Sequence, residues 1–298
     1  MEATMEKRER ASKRYKKRST LTTIWHQLRK NKGAVLGLIL ITLIIIVAIA
    51  SAYIFDYDTQ IAANNLKERL QAPSSEHWFG TDDMGRDIFA RVCYGARYSL
   101  AVGVIAVLIA LVVGVTLGAA AGYIGGVLED IVMRVCDIFS SIPSVLMAIA
   151  VVSALGKSTI NLMLAVGIAS TAPFVRVARA AVLTVRGEEY IESARAIGMR
   201  EWKIVLFHIL PNCVSQIIVQ ATLRVGSAII SAAQLSFLGL GVPAPAPEWG
   251  SMLSAGRSFI RDHSYMTLYP GLAIMLTVLS LNLIGDGLRD ALDPKLKR

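Results

Sequence analysis

The chain has 298 residues, of which 54% are hydrophobic and only 18% charged, with a mean hydropathy of +0.53, whereas an ordinary soluble domain carries about 25% charged residues. Water would not tolerate the apolar patches such a chain exposes and lipid would, so composition excludes an ordinary soluble domain and directs attention to charge-free runs of about 20 residues. The formal net charge of +9 leaves two kinds of anionic surface in view, a nucleic acid and a membrane face.

The basic head "KRERASKRYKKR" has no aromatic interleaving and no folded binding module beside it, so it is assigned to the cytoplasmic side of a membrane, where basic residues are retained and anionic lipid heads attract them, rather than to nucleic acid. After it, Leu21, Ile24, Trp25 and Leu28 fall at i, i+3, i+4 and i+7, the spacing of a short helix lying in the interface. Residues 1–33 are thus expected to form a basic cytoplasmic N-terminus with an interfacial helix. Six apolar runs follow, at about 34–55, 99–123, 138–156, 159–175, 213–236 and 264–285. Each can cross a ~30 Å hydrocarbon layer as a helix that satisfies its own backbone. The first is too long, and begins too late, for a signal-peptide core. An all-α integral membrane domain of six transmembrane helices is expected over 34–298. With the N-terminus inside, 22 Lys and Arg fall in cytoplasmic segments and 8 outside, which places both termini in the cytoplasm.

Between the first two spans, Thr81, Asp82, Asp83 and Gly85 predict a capped turn leading into a short amphipathic helix that contains Arg86, Asp87 and Arg91. In the second span Gly114, Gly118 and Gly122 recur every four residues, allowing close backbone approach within the chain or to a second membrane chain. The third span ends in "VVSALGKST", the tail of a phosphate-binding loop, but Val151 stands where the first glycine is required and no soluble strand precedes it. Lys157 is taken as an interfacial residue.

The stretch "EEYIESARAIGMREWKIVLFHILPN", residues 188–212, is too charged for lipid and belongs to a cytoplasmic loop over 186–212. Glu188 to Ile197 predicts one helix with an acidic start, and Gly198 supplies a residue able to take φ > 0 at its end. Met199 to Leu210 predicts a second helix, stopped by Pro211, which suits the first turn of the fifth span. Trp202, Val205, Leu206 and Ile209 recur at helical spacing on the second helix, and Ile191 and Ala194 share a side of the first. That pattern serves equally a loop resting on its own bundle and a plug for a groove on a cytosolic partner.

In the fifth span, at 100° per residue, Gln216, Gln220, Ser227, Ser231 and Gln234 share a stripe about 60° wide, with Arg224 on its edge. Such a face avoids lipid, either to hydrogen-bond neighbouring helices or to line a translocation pathway. Further on, Pro243, Pro245 and Pro247 predict a stiff extended crossover, with Trp249 suited to the interface. Cys93, Cys136 and Cys213 form no CxxC pair, and His26, His77, His208 and His263 have no metal-ligand spacing. No catalytic constellation is present, so no enzymatic activity and no cofactor of the chain's own are expected.

"ESARAIG" followed by "HILPN" resembles the EAA loop of ABC importer permeases. Glu192, Ser193, Ala194, Gly198, Leu210 and Pro211 match, with Ser193 at an alanine position and His208 at an isoleucine position. "WFGTDDMGRDIFARVCYGAR" (78–97), "LSFLGLGVPAPAPEWGSMLSAGR" (235–257) and "GDGLRDALDPKL" (285–296) are similar to the second permease chain of dipeptide, oligopeptide, nickel and glutathione importers. The resemblance implies the type I permease fold, in a bacterial or archaeal cytoplasmic membrane. It also implies an ATPase-coupling role for Glu192, Ser193, Ala194, Gly198, Trp202, Leu210 and Pro211. The partners it implies are a homologous permease, two ATP-binding subunits that hold ATP and magnesium, and an external solute-binding protein. Dipeptides or oligopeptides are the implied cargo, with glutathione or a nickel chelate as alternatives. A secondary transporter with inverted repeats would show self-similarity between 34–156 and 159–287, and none is evident. A membrane-embedded enzyme would need paired intramembrane polar groups, and only Arg224 is charged.

Overall fold

The computed structural model describes residues 20–292. The basic head and the last residues of the tail motif, 293–298, lie outside the described residues. Those described form helices and turns, with a lone antiparallel bridge between Thr81 and Asp87.

Helix α1 (Thr20–Lys30) is the expected short helix, with Leu28 buried and Trp25 about half exposed; the side chains of Leu21 and Ile24 are outside the described residues. Asn31 caps α2 (Lys32–Ile54) by accepting a hydrogen bond from the Ala34 amide at 3.1 Å. This helix is apolar all round, yet only Ala34, Gly37, Ala48 and Ser51 are buried. The bulky Ile39, Ile46 and Ile49 face outward, as suits a helix surrounded by hydrocarbon.

Helix α3 (Ile88–Ile124) is 37 residues long, about 55 Å at 1.5 Å per residue. A short amphipathic helix and a separate span from residue 99 are therefore corrected to one continuous element. Asp87 is its cap rather than a member, accepting from the Ala90 amide at 2.8 Å. Arg86 precedes it, and only Arg91 lies inside. Nothing between 88 and 99 interrupts helical hydrogen bonding, so the span simply extends.

The third span is not a single helix. Helices α4 (Gly126–Ser141) and α5 (Ser144–Leu155) meet at 94°. Pro143 disfavours the helical region for the residue before it, and Ile142 is extended at φ −94°, ψ 128°. The fourth span is likewise two helices, α6 (Thr159–Ala169) and α7 (Thr171–Val185), bent by 43°. Pro173 in the first turn of α7 has no amide to offer the preceding turn. Beyond α7 come α8 (Glu189–Ala196), α9 (Glu201–Ile204), a π-turn over Val205–Ile209 and α10 (Leu210–Phe237), then α11 (Trp249–Gly256) and α12 (Tyr265–Leu292). Among the described residues, four helical units are long and apolar enough to cross a membrane, and up to six if each bent pair counts as one span.

Burying leucine against leucine gains little when lipid is the alternative, so close packing of small residues holds such bundles together. The glycine repeat of α3 does this within the chain. A methyl group on Gly114 would stand 2.4 Å from the Phe174 Cβ, one on Gly118 2.4 Å from the Val175 carbonyl, and one on Gly122 2.9 Å from the Arg179 carbonyl. All three belong to α7, so the seam serves intrachain packing. Val102, Ala106 and Ala110 of α3 complete a core with Leu162 of α6, Phe174 of α7 and Leu235 of α10.

Candidate functional site

The loop 186–212 folds into a knob at one end of the bundle. Helix α8 carries Glu189 and Glu192 in its first turn, where the helix dipole favours them. It ends with the Gly198 amide donating to the Arg195 carbonyl at 2.9 Å and the Met199 amide to the Ala194 carbonyl at 3.1 Å. Gly198 has φ +78°, and nothing lies within 4 Å of where a Cβ would be. Backbone conformation, not crowding, is what demands glycine there.

Pro211 does not stop the second helix, contrary to the sequence expectation. Helix α9 continues through the π-turn into α10, giving one helical unit over Glu201–Phe237. The Leu210 amide donates to the Val205 carbonyl, five residues back. Pro211 follows the π-turn directly, in the first turn of α10. The Asn212 side-chain amide donates to the His208 carbonyl at 2.6 Å, occupying an acceptor beside the proline.

The extra residue of the π-turn shifts the helical phase and divides the apolar stripe. Ile191, Ala194, Ile204 and Ile209 are buried with Ala119 of α3 and Ala181 and Val182 of α7. Trp202 and Leu206 turn outward, and with them Ile197 and Phe207, exposed by 78% and 66%. Of the expected coupling residues, Glu192, Ser193, Gly198, Trp202 and Pro211 are exposed, Leu210 is half-buried and Ala194 is buried. The seven therefore divide into a surface and its footing. Periodicity missed Ile197 and Phe207; Ile197 stands beside the left-handed glycine, where a regular helical wheel has already ended.

The knob is tied to the end of α3. Tyr123 donates its hydroxyl hydrogen to Glu201, the Arg195 guanidinium lies 5.3 Å from the Tyr123 ring centroid, and Arg195 Nε approaches Glu201 at 3.8 Å. Arg186 adds a bond to the Gly122 carbonyl at 2.8 Å.

Along α10 the polar stripe faces away from the chain's own bundle. Gln216, Ser227 and Gln234 are exposed, and Gln220, Arg224 and Ser231 are half-buried. Ile217, Gly226, Ile229, Ala233 and Leu235 bury the other side of the helix. None of the six polar side chains has a hydrogen-bond partner among the described residues, unlike Thr222, which bonds back to the Ile218 carbonyl at 2.9 Å.

The opposite end of the bundle is closed by a cap built from 56–98 and 238–264. Asp82, 7% exposed, accepts from the amides of Met84 and Arg86, both at 2.9 Å, and from Arg86 Nε at 2.8 Å. Buried Arg91 donates to the Ile61 carbonyl and, at 3.3 Å, to that of Pro245. Trp249 is 2% exposed rather than interfacial. Its backbone amide donates to Ser99 Oγ at 3.1 Å and its indole N–H to the Val92 carbonyl at 2.9 Å. Buried Glu248 caps α11, accepting from the amides of Gly250 at 2.9 Å and Ser251 at 2.8 Å. The proline crossover presses on α3 so closely that a methyl on Gly95 would stand 2.0 Å from the Pro247 carbonyl.

The family described as "Binding-protein-dependent transport system inner membrane component" matches residues 114–298, and "N-terminal TM domain of oligopeptide transport permease C" matches 19–73. The dipeptide transport system permease protein DppC of Alkalihalophilus pseudofirmus is 51% identical over 271 residues, 91% of this chain and 88% of the relative. The glutathione transport system permease protein GsiD is 46% identical in Escherichia coli O157:H7 and 44% in Pectobacterium atrosepticum, covering 92% of this chain and 90% of each relative. An inward-facing structure of the MetNI methionine ABC transporter aligns with a TM-score of 0.55 at 19% identity, over 68% of this chain and 97% of that one. A knob between the fourth and fifth spans, a polar helix beyond it and two family matches, over 19–73 and 114–298, lead to one assignment: the chain belongs to the inner-membrane permease components of binding-protein-dependent transport systems.

Proposed function

We propose that the chain is the permease subunit that passes dipeptides or oligopeptides across a bacterial or archaeal cytoplasmic membrane, both termini inside, driven by ATP hydrolysis in partner subunits. The observation that carries this is the knob, whose exposed Ile197, Trp202, Leu206 and Phe207 stand on a fully buried footing. Apolar side chains fixed in that way form the surface of a helix-in-groove contact. Two ATP-binding chains hold ATP and magnesium, a homologous permease completes the bundle, and a solute-binding protein delivers cargo; this chain needs no cofactor. The stripe from Gln216 to Gln234 lines the pathway, its amides and hydroxyls meeting peptide backbones without fixing one sequence. The similarity to a dipeptide permease supports peptide cargo, and the glutathione permeases keep a γ-linked tripeptide as the second reading.

Vesicles containing the full transporter and its binding protein test this directly. ATP-dependent uptake of a labelled dipeptide is expected, and uptake of glutathione alone would replace the first cargo with the second. Glu192→Lys should abolish uptake while the chain still inserts; normal uptake would remove the coupling assignment. After replacement of the three native cysteines, a cysteine at residue 70 or 255 should react with an impermeant thiol reagent added outside, and one at 195 should not. The opposite labelling reverses the orientation.

A further inference from the structure

Arg224 stands half-way along α10, half-buried, with no ion pair or hydrogen bond to any described residue. Three other arginines on the helical bundle are paired within the chain, and Arg97, Arg134 and Arg289, which are not, are exposed. Arg91 has Asp82 and two carbonyls, Arg176 has Asp137 at 3.0 Å, and Arg179 bonds Glu129 through Nε at 2.6 Å. Helices α3, α6 and α7, which pack against α10, contain no Asp or Glu. Helix α12 also packs there and contributes Asp286 and Asp290. Asp290 accepts from Asn31 at 3.2 Å, and Asp286 is exposed and unpaired with Arg224.

A guanidinium half-way along a membrane-spanning helix is stable only where an anion or water meets it. Its neighbours on the same face, Gln220 one turn before and Ser227 one turn after, also carry hydrogen-bond donors. A planar guanidinium fork fits a carboxylate through two parallel bonds, and the adjoining amide and hydroxyl extend the donor set. We propose that Arg224, flanked by Gln220 and Ser227, holds the carboxylate of the cargo in transit, for a peptide its C-terminal carboxylate. This rests on α10 lining the pathway. A lone guanidinium on an open helix face, with no acid beside it, binds firmly enough to orient the solute and loosely enough to release it. Dipeptides and glutathione share the required group.

The test uses the complete transporter in detergent, where both faces meet solvent, with Cys93, Cys136 and Cys213 replaced and Ser227→Cys as the probe. Alanyl-alanine at about ten times its Kd should slow reaction of that cysteine with a small neutral thiosulfonate about tenfold, as occupancy of one site requires. Alanyl-alanine amide should change it by less than about twofold. Adding Arg224→Gln should remove the protection, and Arg224→Lys should keep a measurable part, which separates lost charge from lost fold. Equal protection by acid and amide, full protection in Arg224→Gln, or no protection by either peptide overturns the proposal while leaving the pathway intact. A cysteine at 227 unreactive in every nucleotide state defeats the pathway, and the carboxylate site with it.

Discussion

The cap and the knob are both charged interruptions in an apolar chain, and they treat their charges oppositely. In the cap, Asp82, Arg91 and Glu248 are each under 10% exposed, and each is met by backbone amides, carbonyls or an opposite charge. In the knob, Glu192, Arg195 and Arg200 are exposed, and the apolar Ile197 and Phe207 stand out beside them. These three charges of the cap are met within the chain; those of the knob stand in solvent beside exposed apolar side chains. The same contrast separates stability from function, because a change in the cap removes buried native contacts whereas a change at the exposed Ile197 or Phe207 removes few.

The largest expected effect lies in the cap. Trp249→Ala should cost about 3–5 kcal/mol through lost packing and the lost indole hydrogen bond to the Val92 carbonyl. It should lower the melting temperature of the purified complex by several degrees; a change under one degree would mean that the cap is not a self-contained plug. Next is Gly198→Val, where a β-branched residue at φ > 0 meets strain of about 1–3 kcal/mol. Uptake should fall more than tenfold, while Gly198→Asn retains most of it because asparagine tolerates the left-handed region. Equal loss in both variants would mean that glycine serves some need other than its backbone angle. The smallest effect on stability belongs to Phe207→Ala, expected within about 0.5 kcal/mol of the parent protein. Its affinity for the ATP-binding subunits should nonetheless fall about tenfold, as for an interface anchor. Unchanged affinity would remove Phe207 from the docking surface and weaken the contrast with the cap.

Much of this division was legible beforehand. Charge-free runs locate spans because the bilayer imposes a length, and the spacing of Gly114, Gly118 and Gly122 marks a close-packed seam whatever the partner. Gly198 was readable because few residues adopt its backbone angle. The break at Pro143 was available in the residues too, yet the run 138–156 is apolar throughout, and hydropathy registers depth without direction. The π-turn was not legible, since one inserted residue leaves composition unchanged while rotating everything after it by a fraction of a turn. Nor did sequence show that Trp249 faces inward, because an amphipathic ring suits an interface and a buried donor site equally well, and only the Val92 carbonyl decides between them.

The uninterrupted length of α3 has a mechanical consequence. Near its start it is gripped by the cap through Arg91, Gly95 and Ser99, and at its finish by the knob through Ala119, Gly122 and Tyr123. Between those grips there is no proline or π-turn to act as a joint. One unbroken helix thus joins the two ends of the molecule, so whatever the knob meets is linked to the cap by a single rigid element rather than by a relay of side chains.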